Sequence, residues 1–117
     1  MINNMKEKNI VIMVTSSPFA TLNNYEALRI SIGIVDHCKV SIIWKGNGVY
    51  NAIKTIDDRF IHHFIRLCEH INISLYVDKN DFSERSLKGE ELVPSVRLLE
   101  REEVLELICK SDVVLTF

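Results

Sequence analysis

Apolar residues fall along this chain in two rhythms, and the switches between them outline the fold. Ile10-Val11-Ile12-Met13-Val14 is an unbroken apolar run, the pattern of a strand covered on both faces. Thr15 to Thr21 turns the chain, with Pro18 disfavouring helix at Ser17. A helix is predicted from about Asn23 to Val35, with Asn23 or Asn24 as its cap, ending at Asp36-His37. Cys38 to Trp44 is the second strand, and Lys45-Gly46-Asn47-Gly48 a glycine-bearing turn at its carboxyl end. A short helix follows, from Val49 to about Thr55. The second main helix spans about Asp57 to His70, with Phe60, Ile61, Phe64, Ile65, Leu67, Cys68 and Ile71 on one broad arc.

Asn72 to Val77 alternates with period two, so the third strand is expected to have one less deeply covered face and to lie nearer a sheet edge. Asp78 to Glu91 is a polar excursion with one helical turn around Asp81 to Leu87. Val96 to Leu99 is a short fourth strand. Glu100 to Lys110 is a helix with acidic residues early and Lys110 late, as its dipole favours. Val113 to Phe117 is a last strand. The order β-α-β-α-β-loop-β-α-β predicts a three-layer α/β/α domain over residues 1–117, with a mostly parallel five-stranded sheet and a polar leader over residues 1–8.

The first helix has an unusual pattern. At 100° per residue, Tyr25, Leu28, Ile32 and Val35 form one apolar stripe, and Ala27, Ile30 and Ile34 form a second. The second stripe, nearly opposite the first, needs a cover, either a neighbouring helix or another subunit, and Ala27, Ile30 and Ile34 are the candidate subunit interface.

Composition narrows the function classes. The 117 residues carry 47% hydrophobic and 26% charged residues, ordinary for a soluble globular protein. The net charge of −2 gives no reason for nonspecific attraction to nucleic acid. No apolar stretch approaches the roughly 18 residues needed to span a bilayer. The leader lacks a signal-peptide core, so a cytoplasmic protein with no membrane partner is expected.

Three cysteines without paired spacing argue against a disulfide framework. Cys68 reads as a buried apolar filler. Cys38 enters a strand at its amino end, and Cys109 lies near a helix C-terminus, where a thiol pKa rises rather than falls. None looks like a poised thiolate. His62, His63 and His70 lack the i,i+4 spacing of a metal pair, and no metal or cofactor is expected. GxSxG, GxGxxG and GxxxxGK[ST] are absent. In open α/β sheets, ligands sit beyond the carboxyl ends of strands. Thr15, Ser16, Ser17, Gly46, Asn47, Gly48 and Asp78 are therefore the candidate ligand-binding residues, with an anion at the helix start after Gly48 as one occupant.

Three stretches carry a resemblance to a known family. They are the apolar strand with Ser16-Ser17-Pro18, a spacer and Tyr25-Glu26-Ala27-Leu28-Arg29-Ile30-Ser31-Ile32-Gly33; the second strand with Gly46-Asn47-Gly48-Val49; and Asp112-Val113-Val114-Leu115-Thr116-Phe117. Together they resemble the DsrE/DsrF/DsrH-like sulfur-relay proteins, which include the Tus proteins of tRNA thiolation, and most of all the DsrF/TusC side. The resemblance implies a compact α/β subunit that forms trimers or hexamers, alone or with DsrE/DsrH-like subunits. It implies a persulfide cysteine just after the third strand in active members, and an indirect link to tRNA or sulfur carriers. Here that segment reads Leu75-Tyr76-Val77-Asp78-Lys79-Asn80-Asp81, without cysteine, and Asp78 stands at about the thiol's place. A carboxylate forms no persulfide. The expectation is a non-transferring structural or partner subunit of a sulfur relay, or alternatively a small-ligand or anion-binding oligomeric module; a third reading keeps Cys109 or Cys38 as an unconventional sulfur acceptor.

Overall fold

The computed structural model describes residues 8–19 and 21–117; all of the polar leader but Lys8 lies outside the described residues. Five strands form one sheet in the order β4-β3-β2-β1-β5: β1 (Lys8–Val14), β2 (Cys38–Trp44), β3 (Ile73–Asp78), β4 (Arg97–Leu99) and β5 (Val113–Thr116). All four strand pairings are parallel. The helices are α1 (Asn23–Ile34), α2 (Arg59–Cys68), α3 (Lys79–Glu84) and α4 (Arg101–Lys110). A 3₁₀ segment, Gly46–Ala52, replaces the short helix expected from Val49 to Thr55.

The strand order explains how the layers are filled. From β1 to β4 each connection steps one strand in the same direction. Right-handed crossovers therefore put α1, α2 and α3 on one face. Only the connection from β4 back across to β5 takes the other face, and it carries α4. The core divides accordingly. Ile10, Ile12 and Val14 of β1, Val40, Ile42 and Trp44 of β2, and Ile73, Leu75 and Val77 of β3 point to the larger side. There they meet Leu28 of α1, Ile61, Phe64 and Ile65 of α2 and Phe82 of α3. Val11, Ile43 and Leu99 point the other way, against Val104 of α4. The alternation in β3 has this cause: Ser74 and Tyr76 are half-buried on the face that only α4 covers. β3 itself lies one strand inside the sheet edge, as β1 does, so it is no nearer an edge than β1.

The reading of α1 as two opposed stripes needs correction. Its buried residues are Asn24, Ala27, Leu28 and Ser31. The two apolar stripes are the shoulders of a single inward face whose middle is polar. Both polar residues are satisfied inside: Trp44 Nε1 donates to Asn24 Oδ1 at 3.2 Å, and Ser31 Oγ donates to the Ala27 carbonyl at 2.8 Å. Ala27 is wholly buried against the sheet, while Ile30 and Ile34 are half-buried and pack on the same core. Ala27 is thus no part of an outer contact, and the apolar surface of Ile30 and Ile34 is largely covered within the subunit. Nor does an asparagine cap α1: its N-cap is Leu22, without a side-chain cap bond. Asn24 is committed to Trp44 instead. Tyr25 packs sideways on Phe60 of α2, ring centroids 4.3 Å apart.

Candidate functional site

Parallel register builds the site at the carboxyl edge. Trp44 pairs with Val77, so the next residues, Lys45 and Asp78, emerge side by side. Asp78 is 1% exposed and ends β3 while capping α3. One carboxylate oxygen accepts from the Asp81 backbone N–H at 3.0 Å. The other accepts from Lys45 Nζ at 2.6 Å. Burial pushes the Asp78 carboxyl up, but the Lys45 hydrogen bond and charge, with the backbone N–H groups of Asp81 and Asn80, outweigh it. The pKa is held below the usual carboxylate range. Lys45 also lies 3.6 Å from Asp81 Oδ2.

The surrounding donors are engaged. Gly46 takes φ +54°, a left-handed conformation suited to glycine, and its N–H donates to Asp81 Oδ2 at 2.7 Å. The Gly48 N–H donates to the Lys45 carbonyl at 2.8 Å. Arg85 donates from Nη1 to the Asp81 carbonyl at 2.8 Å and from Nε to Asn47 Oδ1 at 3.1 Å. A Cβ on Gly48 would collide with the Val14 carbonyl oxygen, so β1 and the 3₁₀ segment touch here backbone to backbone. Asn51 Nδ2 bridges the Gly48 carbonyl (2.9 Å) and the Ser16 carbonyl (3.3 Å), tying the first turn to the second.

Of the seven residues expected to bind a ligand, Gly46, Asn47, Gly48 and Asp78 thus belong to one hydrogen-bonded knot. Ser16 joins it through its carbonyl, and its hydroxyl accepts from Asn23 Nδ2 at 3.3 Å. Thr15 turns toward β5 instead: its N–H and hydroxyl donate to the Phe117 carbonyl at 2.9 and 3.3 Å. Ser17 lines a separate cavity of about 350 Å³ with Pro18, Phe19, Tyr50 and Ile53. Phe19, Leu22 and Tyr25 are 72%, 75% and 42% exposed beside it. An anion at the start of the 3₁₀ segment would face two carboxylates and find the Gly46 and Gly48 N–H groups already bonded. Lys45, Asp81, Arg85 and Asn51 are the site residues that sequence reasoning missed. Asp78-x-x-Asp81 is a cap pattern that could have signalled the first contact.

The thiols lie elsewhere. Cys38 opens β2 at its amino end. Cys68 ends α2 just before β3, and Cys109 lies in the last turn of α4 just before β5. All three therefore sit toward the amino edge of the sheet, roughly a strand length of 20 Å from Asp78. Burial, with a smaller push from Glu69, raises the Cys68 thiol to about 12. Cys38 is half-buried and Cys109 exposed. Among the described residues, no three His, Cys, Asp or Glu side chains converge to hold a metal ion, and no helix is long and apolar enough to cross a membrane.

Comparison with known proteins bears on this arrangement. Residues 8–117 match the sequence profile of the DsrE/DsrF-like family. An uncharacterised protein of Methanocaldococcus jannaschii, MJ0989, is 24% identical over 110 residues, spanning 91% of this chain and 96% of that one. In structure, the ychN protein from E. coli superposes with a TM-score of 0.84 at 17% identity, covering 94% of this chain and 99% of its own. MTH1491 from Methanobacterium thermoautotrophicum, a protein of unknown function, gives 0.75 at 9% identity, covering 95% and 100%. The two structures share the fold.

Proposed function

This chain belongs to the DsrE/DsrF-like family, and from that premise we propose that it is a non-transferring structural or partner subunit of a cytoplasmic sulfur-relay system. The systems in view serve tRNA thiolation or sulfur metabolism. One observation carries the reading: the residue that ends β3 is a buried carboxylate, locked to Lys45 and to the α3 backbone. A persulfide forms when a thiolate sulfur attacks a sulfane sulfur, and an ionised carboxylate offers no such atom. No cysteine lies near that edge to replace it.

What remains for such a subunit is association, with itself as a trimer or hexamer or with DsrE/DsrH-like subunits. The exposed Phe19, Leu22 and Tyr25 support this. They form an apolar crest at the carboxyl edge of the sheet, on the outside of the subunit, whereas α1's inward face is covered. The test is incubation with a cysteine desulfurase and cysteine, followed by intact-mass measurement. The expected result is no added sulfur on any thiol, and a stable adduct on Cys38, Cys68 or Cys109 overturns the reading. A second reading, a small-ligand module, draws support from the cavity of about 350 Å³ beside Ser17. Its occupant would be largely apolar rather than anionic, given Pro18, Phe19, Tyr50 and Ile53 around it. Ligand-dependent thermal shifts that Tyr50→Ala abolishes would favour it.

A further inference from the structure

Among the described residues nothing pairs with the outer edge of β5, and its chemistry is unusual for an open edge. Phe117 directs both backbone groups to β1: its N–H donates to Met13 and its carbonyl accepts from Thr15. Backbone direction alternates along a strand, and the register pairs Val113 with Ile10 and Leu115 with Ile12. Val113 and Leu115 therefore face β1 as Phe117 does. Val114 and Thr116 turn their N–H and carbonyl groups outward, away from the sheet. Natural edges are protected by charges, proline or bulges. β5 reads Val113-Val114-Leu115-Thr116 and has neither charge nor proline, and Val113 and Val114 are 44% and 39% exposed. The opposite edge, β4, carries Arg97 in its three residues.

Helix α4 packs over β1 and β4, and its Glu103, Leu107 and Lys110 line a cavity over Tyr76 and Arg97. Unpaired backbone and the exposed side chains of Val113 and Val114 thus meet along β5.

We propose that β5 is a dimerisation edge, paired antiparallel with β5 of a second copy of this chain about a twofold axis normal to the sheet. The inference rests on the reading of the chain as an associating subunit and names one of its contacts. A second copy fits for three reasons. An antiparallel strand pair is self-complementary about a twofold axis. An uncharged strand meets no like charge when it faces itself, whereas β4 would set Arg97 near its own copy. The outward groups also fix a register: Val114 lies opposite Thr116 of the second copy, and the reverse, with Leu115 at the axis. Such an axis keeps both α4 helices on the same face of the joined sheet.

Residue-resolved amide exchange on the wild-type protein is the direct test. Val114 and Thr116, whose N–H groups point away from β1, are expected to exchange slowly. Exchange at the rate of an unstructured peptide overturns the proposal. Light scattering gives the second arm. Val114→Pro removes an outward donor without touching the β1 ladder, and Val114→Lys puts a charge on the open edge. Each is expected to halve the wild-type mass with circular dichroism unchanged. A monomeric wild type, or a folded variant of full mass, overturns the edge pairing. Should neither variant fold, the wild-type exchange decides. Leu22→Asp keeps the two ideas apart. If it lowers the mass while both Val114 variants do not, association stands and this edge fails. If sulfur loads onto a thiol while Val114→Pro halves the mass, the edge stands and the non-transferring role fails.

Discussion

Lys45 Nζ lies 2.6 Å from Asp78 Oδ2, and this pair welds the ends of β2 and β3. Asp78 is buried, Lys45 partly so, and the second carboxylate oxygen caps α3. The carboxyl is therefore depressed in the folded state. Stabilisation from a depressed carboxylate is present above its unfolded pKa and is lost as pH falls through the folded value. Asp78→Asn is expected to cost about 1–3 kcal/mol at neutral pH, from the lost charge-assisted bond and the ammonium left behind. It should also flatten the loss of stability below about pH 4. Urea titrations across that range check both. An unchanged acid limb would mean the pair contributes nothing.

Asp78→Cys places a thiol beside the Lys45 ammonium, which lowers thiol pKa. That variant is expected to take one sulfur from a desulfurase and cysteine, where the wild type takes none. Intact-mass measurement reads the outcome. Failure to load would show that the site's closed hydrogen bonding, and not only the missing sulfur atom, bars transfer.

The thiols should separate cleanly by reactivity. Cys109 is exposed, Cys38 half-buried and Cys68 buried with its pKa near 12. Maleimide labelling is expected to reach Cys109 early and Cys68 only on unfolding. Cys68→Ser should destabilise by about 1–3 kcal/mol, because a hydroxyl would lie unpaired among Ile65, Phe64 and their neighbours.

Two glycines predict opposite signs. Gly48 touches the Val14 carbonyl, and a methyl there has nowhere to go. Gly48→Ala is expected to cost about 1–3 kcal/mol, as overpacking does. Gly33 sits in exposed α1 with no atom within 4 Å of an added Cβ. Gly33→Ala should stabilise by about 0.5–1 kcal/mol through helix propensity. Thermal or denaturant unfolding compares the two.

How much of this could be read from residues alone depended on whether the signal was local. The strands β1, β2 and β3, helix α2 and helix α4 announce themselves through apolar runs and arcs, and their bounds fall within a few residues of expectation. The middle of α1 did not, because its inward face is polar. Asn24 looks like a cap until Trp44, twenty residues on, is seen to need its oxygen. Ser31 looks like a surface residue until its hydroxyl is found on the helix's own carbonyl. A wheel drawn on hydropathy splits such a face in two. The candidate site followed the same rule. Strand ends could be inferred, so Gly46, Gly48 and Asp78 could be placed together at one edge. That Thr15 serves β5, and that Lys45 and Asp81 hold Asp78, depends on strand register, which no local pattern displays.

The pairing of β5 with β1 has a consequence for how the chain is made. Ile10 and its partner Val113 come from opposite ends of the described chain, and Asp112 reaches back 103 residues to the Asn9 N–H. A nascent polypeptide emerging from the ribosome can lay β1, β2 and β3 together early, yet one flank of β1 stays bare until β5 is translated. Loop closure over that distance is slow compared with local helix formation. During synthesis the apolar strand Ile10–Val14 therefore keeps one flank unpaired until the last strand arrives.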